Sequence, residues 1–71
     1  MEQKVIVILA RMFGRNPVEL SAATLLREDL GAKSMNLLEI SATLENELGA
    51  DIPLDRITKV KTIGDIVGIL Q

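Results

Sequence analysis

Two stretches of this chain repeat their apolar residues at the spacing of an α-helix. Each stops at a glycine with a proline close behind. The first runs from Glu2 to Phe13, where Val5, Ile8, Leu9, Met12 and Phe13 follow the i, i+3, i+4, i+7, i+8 pattern of one buried face. Ile6 and Val7 widen that face, and the short β-branched run argues mildly for a strand. Length decides for a helix, because about ten or more residues exceed most strands. Gly14 suits the left-handed residue that ends a helix, and Pro17 blocks continuation. The second stretch runs from Ser34 to Leu48 and is closed by Gly49, with Ile52-Pro53 just beyond. Leu37, Ile40, Ser41, Leu44 and Leu48 share its first face, and Asn36, Glu39, Thr43 and Asn46 lie opposite. Met35, Leu38 and Ala42 form a second apolar stripe beside the first, which either covers the core or is offered to a partner.

Between the two stretches, Arg15 to Lys33 shows no sustained period. Pro17-Val18-Glu19 suits one helical turn, and the scattered Leu20, Leu25, Leu26 and Leu30 are expected to pack the connector across the helices. Ser21 and Thr24 read as turn or capping residues. A second connector runs from Ala50 to Lys61, inside which Pro53 can open a short helix through Leu54, Asp55, Arg56 and Ile57. Thr62-Ile63-Gly64-Asp65 has the form of a capping box, and a last helix follows with Ile63, Ile66, Val67 and Leu70 inward. Gly64 and Gly68 stand four apart on it, as expected for close approach to another helix. The fold expected is all-α: a single domain over residues 1–71, built as a small bundle of three main helices plus a short helix between the last two.

Composition narrows the chemistry. The chain has 71 residues and is 48% hydrophobic, enough for one small core without staples, and Phe13 as sole aromatic makes that core aliphatic. Without cysteine there is no disulfide, thiol nucleophile or thiolate metal site, a composition compatible with a reducing cytosol. Without histidine the usual general base and metal ligand are also missing. A net charge of −2 and no basic block argue against nucleic acid. The longest apolar run, Val5 to Ala10, is short for a membrane span or a signal peptide. A soluble, cytoplasmic monomer is expected.

Ser34 is the one hydroxyl at the mouth of a long helix. Lys33 precedes it, but neighbours at a helix start do not face each other, and Glu45 and Glu47 are two apart on different faces. No nucleophile–base pair exists, so the chain reads as no enzyme, and Ser34 is either a helix N-cap or a group acted upon. Its setting, Asp29-Leu30-Gly31-Ala32-Lys33-Ser34-Met35, closely resembles the attachment motif of acyl carrier proteins, usually written Asp-Leu-Gly-Ala-Asp-Ser-Leu. The resemblance continues through Leu37-Leu38-Glu39-Ile40, Leu44-Glu45-Asn46-Glu47-Leu48, Ile52-Pro53 and Thr62-Ile63-Gly64-Asp65-Ile66, and so covers nearly the whole chain.

The resemblance implies that Ser34 receives 4'-phosphopantetheine from coenzyme A in a magnesium-dependent reaction run by a separate phosphopantetheinyl transferase. The thiol of that arm would then carry acyl groups as thioesters to fatty acid, polyketide or related synthase enzymes. It also implies that the second helix is the docking surface, through Met35, Leu38, Glu39, Ala42 and Glu45. Two positions depart from the family pattern: Lys33 and Asn36 stand where acids are common. Less negative charge near the serine suggests a specialised carrier, not the housekeeping one, with Lys33 either setting partner choice or strengthening phosphate binding. Two other readings remain at this point. A peptidyl or aminoacyl carrier more often has a second glycine and a histidine or aspartate before the serine, unlike Ala32-Lys33. The other is a small helical interaction module with Ser34 as a cap and no prosthetic group.

Overall fold

The computed structural model describes residues 1–71 and contains four α-helices: α1 (Glu2–Phe13), α2 (Ser34–Leu48), α3 (Leu54–Ile57) and α4 (Ile63–Leu70). Pro17–Glu19 forms one 3₁₀ turn, capped by the Asn16 side chain. The fold is all-α; its one β-type feature is an isolated bridge between Leu25 and Thr62. Helix α1 packs against both α2 and α4, and α3 packs against α2. No helix is long and apolar enough to cross a membrane.

The aliphatic side chains meet at one centre. Val5, Leu9, Leu26, Leu37, Ile40, Leu44, Ile57, Ile63 and Ile66 are the largest fully buried residues and come from every helix and the first connector. Each such side chain contributes about 1.5–3 kcal/mol relative to its exposed state. Helix α1 turns slightly from the expected face: Ala10 is buried, Met12 and Phe13 are half-buried, and Val7 is exposed. At about 100° per residue Val7 stands about 200° from Val5, so it cannot join the same face. In α2 the first stripe enters the core and the second does not. The Cα atoms extend only 17 Å along the shortest axis. Helices are about 10 Å wide, so each keeps one side in solvent.

The first connector is more ordered than its sequence suggests. Leu26 N–H donates to Lys61 O (2.9 Å), Ile63 N–H to Thr24 O (3.1 Å) and Gly64 N–H to Ala22 O (2.9 Å). These bonds zip the two connectors together and satisfy two orphan amides at the start of α4. Thr62 Oγ1 accepts from Asp65 N–H, and Asp65 Oδ2 accepts from Thr62 N–H (both 3.1 Å), so the expected capping box is present. Ser21 and Thr24 hold a local turn, with Thr24 Oγ1 accepting from Ser21 N–H (2.8 Å) and Ser21 Oγ from Ala23 N–H (3.2 Å).

Helix α4 carries two testable consequences for stability. Backbone N–H groups of Lys61 and then Thr62 both donate to the Asp65 carboxylate and hold its pKa below the ordinary carboxyl range. A folded-state pKa below the unfolded one gives stability that is complete above the unfolded pKa and lost as pH falls through the folded one. Urea titrations from about pH 5 to pH 2 are therefore expected to show a shallower acid loss for Asp65→Asn than for wild type. The two glycines should also separate. A methyl at Gly64 would meet Ala22 O at 3.1 Å, whereas nothing lies within 4 Å of one at Gly68. The close approach is thus to the connector, and only at Gly64. Gly68→Ala is expected to raise stability by up to about 1 kcal/mol, and Gly64→Ala to fall below it in the same urea assay.

Candidate functional site

The start of α2 is built by the turn that precedes it. Leu26 is buried, and its carbonyl accepts from Ala32 N–H (2.9 Å), so both ends of the turn are pinned to the core. Arg27 O accepts from Gly31 N–H (3.0 Å), and Asp29 Oδ2 accepts from Leu25 N–H (2.8 Å), closing the turn from inside and outside. Gly31 lies at φ 70°, a left-handed conformation that a side chain would strain. Ala32, with Leu30, anchors the exit in the core, and the chain enters α2 with Lys33 and Ser34 exposed.

Ser34 is the first helical residue, not the cap. Lys33 occupies the cap position in an extended conformation, and an ammonium side chain has no acceptor to offer the helix amides. The return half of a capping box is present, since Asn36 Oδ1 accepts from Lys33 N–H (2.8 Å). This corrects the capping role allowed for Ser34 and gives Asn36 a structural one. The Asn36 and Leu37 amides turn back to Lys33 O, while those of Ser34 and Met35 have no protein acceptor. In α4 the corresponding amides are closed by the connector. The α2 start therefore presents open N–H donors and the positive end of a 15-residue helix beside an exposed hydroxyl.

The charges around that hydroxyl are cationic. Arg27 Nη2 lies 3.4 Å from Ser34 Oγ and donates toward it, and Lys33 is adjacent. Neither cation is paired with a carboxylate; the one ion pair of the fold joins Arg11 and Glu47. Arg27 was not singled out by the sequence. It lies seven residues before Ser34 in a segment without period, and only the Leu26–Ala32 closure brings it back.

Down α2 from the serine, Met35, Leu38, Glu39 and Ala42 are all exposed, Met35 at 75% and Leu38 at 45%. With Glu45 they fall within a sector of about 120° at 100° per residue. The second apolar stripe is thus a free surface. Leu54 at the head of α3 is a further exposed apolar residue, at 62%. Glu45 differs from the others. It is half-buried, and its Oε2 accepts from Ile52 N–H (2.9 Å), holding the loop that leads to Pro53. Glu39 is the exposed acid of this face.

Comparison with known proteins agrees with this geometry. The family described as "Phosphopantetheine attachment site" matches residues 3–70. The chain is 37% identical over 70 residues to an "Acyl carrier protein" of Rickettsia bellii (strain RML369-C), covering 99% of this chain and 81% of the relative. It is 39% identical over 70 residues to that of Rickettsia bellii (strain OSU 85-389), covering 99% and 86%. The acyl carrier protein of Rickettsia typhi is 36% identical over 70 residues, covering 99% and 81%.

Proposed function

The chain belongs to the acyl carrier protein family, and we propose that Ser34 is the residue on which it bears 4'-phosphopantetheine. The observation that carries this is the open start of α2: an exposed hydroxyl, two amides without acceptors and an unpaired guanidinium, in a chain matched along residues 3–70. These groups fit a phosphodiester, which needs donors and positive charge but no enclosed pocket. Ser34 Oγ would form the new bond to phosphorus as the bond to the adenosine-bearing phosphate of coenzyme A breaks, its proton passing to the transferase. When bound, the arm supplies the thiol that holds acyl groups as thioesters. The chain's own residues present Ser34 on a rigid turn, keep the surface around it open and offer the Met35–Leu38–Ala42 stripe with Glu39 to partner enzymes.

This is carrier work, with chemistry left to a transferase and to acyl-loading and synthase enzymes of the cytoplasm. Met35, Leu38, Glu39 and Ala42 form the docking face, extended by Leu54; Glu45 contributes one carboxylate oxygen while the other holds Ile52. The aminoacyl and unmodified readings are not favoured, given the family match and relatives named as acyl carriers. Lys33 and Arg27 make the rim of the serine cationic, which supports a specialised member served by its own enzymes. Intact mass after incubation with coenzyme A, magnesium and a broad-range transferase tests the reading. Gain of one phosphopantetheine is expected; an unchanged mass with several transferases refutes it.

A further inference from the structure

We propose that Arg27 is a positioning residue for the phosphodiester on Ser34, clamping the root of the prosthetic arm against the turn that precedes α2. This rests on the carrier reading and adds a residue to it.

Arg27 Nη2 reaches Ser34 Oγ at 3.4 Å across the closed turn, a long contact for a neutral hydroxyl acceptor. The guanidinium is not there to satisfy a carboxylate. Asp29, two residues on, spends Oδ2 on Leu25 N–H, and no acid is paired with Arg27. Leu25, Arg27, Glu28 and Lys61 line a hollow beside the turn, so a second cation, Lys61, faces the same space and Glu28 is its one acid. The root of the side chain is fixed, since its neighbour Leu26 is fully buried and its own carbonyl holds Gly31 N–H. A guanidinium so placed has little to gain from a hydroxyl and much more from a phosphodiester at the same oxygen. Its planar fork matches two phosphate oxygens, and charge-assisted bonds are roughly twice as strong as neutral ones.

Lys33 is a different kind of group. Its ammonium sits on a flexible stem at the cap residue, supplying charge without a fixed direction. The open Ser34 and Met35 amides would face a phosphate on Ser34 from the helix axis, and Arg27 would close the connector side. The first bonds of the arm would then keep one orientation relative to α2. Because Arg27 is exposed, the clamp should be salt-sensitive: screening lengths shrink to about 3 Å at 1 M.

The test uses the whole chain as wild type, Arg27→Gln and Arg27→Lys, each loaded by a transferase and checked by intact mass. Urea midpoints should agree, since the side chain is exposed. The readouts are the ³¹P resonance of the diester and the Arg27 Nε–Hε resonance. In wild type the Nε–Hε signal is expected to move on loading. The ³¹P signal should differ between wild type and Arg27→Gln, with Arg27→Lys between them and the difference shrinking at 1 M salt. Full loading with superimposable ³¹P signals in wild type and Arg27→Gln overturns the clamp and leaves the carrier reading standing. Failure to load wild type with several transferases overturns the carrier reading, and the clamp with it.

Discussion

Ser34→Ala is expected to abolish phosphopantetheine loading completely while leaving stability within about 0.5 kcal/mol of wild type. The two halves of that result come from one geometric fact. Ser34 is the first residue inside α2, it is exposed, and the one hydrogen bond of its hydroxyl is the long approach of Arg27. It caps nothing. A capping serine replaced by alanine would lose about 0.5–2 kcal/mol, so a urea midpoint that drops by that amount would show the hydroxyl serving the helix. Alanine is also the best helix former, so the backbone at this position has no reason to suffer. Intact mass reads the other half. No other residue combines a hydroxyl with open helix amides: Thr62 spends its oxygen on Asp65 N–H, and Thr24 spends its own on Ser21 N–H and is buried. Mass gain persisting in Ser34→Ala would place the attachment elsewhere and remove the basis of the proposed function.

What the sequence made legible was whatever depends on periodic burial. The bounds of α1 and α2 follow from the apolar spacing and the flanking Gly14 and Gly49, both of which are left-handed in the structure. The short helix after Pro53 and the capping box at Thr62 were equally readable, because each depends on residues within one turn of each other. The site was legible only in part. Ser34 stood out by its setting, and the Met35–Leu38–Ala42 stripe was visible but ambiguous, since periodicity cannot say whether a second apolar stripe covers the core or stays free for a partner. Burial decides that: Leu37, Ile40 and Leu44 enter the core, whereas Met35, Leu38 and Ala42 stay exposed. Three features had no sequence signal. The zip between the connectors is made by backbone atoms of Ala22, Thr24, Leu26, Lys61, Ile63 and Gly64, and an isolated backbone pairing leaves no pattern. The approach of Arg27 to Ser34 depends on the Leu26–Ala32 closure, which joins residues six apart through a segment without period. The loss of half of Glu45 to Ile52 N–H likewise joins residues seven apart through a loop.

Lys33→Asp combined with Asn36→Asp is expected to raise stability and, at low salt, to speed turnover by a general fatty acid synthase by about tenfold. The two effects have separate origins in the same residues. An aspartate at position 33 would supply the side-chain acceptor that lysine lacks at the α2 cap, a gain of about 0.5–2 kcal/mol. An aspartate at position 36 would keep the bond from the backbone N–H of residue 33 and add a favourable charge in the first turn, about 0.3–1 kcal/mol. Carboxylates three apart on a helix repel, so the double variant should gain less than the sum of the singles. Lys33→Asp changes the charge by two and Asn36→Asp by one, taking the formal net charge from −2 to −5. That change is concentrated at the rim of Ser34, where a basic enzyme surface approaching the serine would meet it first. Salt tells the origins apart. Added salt should erase the rate gain, because screening acts on encounter between exposed charges, whereas the hydrogen bond to the cap persists. A double variant that is more stable but no faster with the general synthase at any salt would mean that Lys33 and Asn36 do not set partner choice. Lys33 would then be left with the local task of adding positive charge beside the phosphodiester, and selection between partners would have to lie further along α2, at Met35, Leu38 and Glu39.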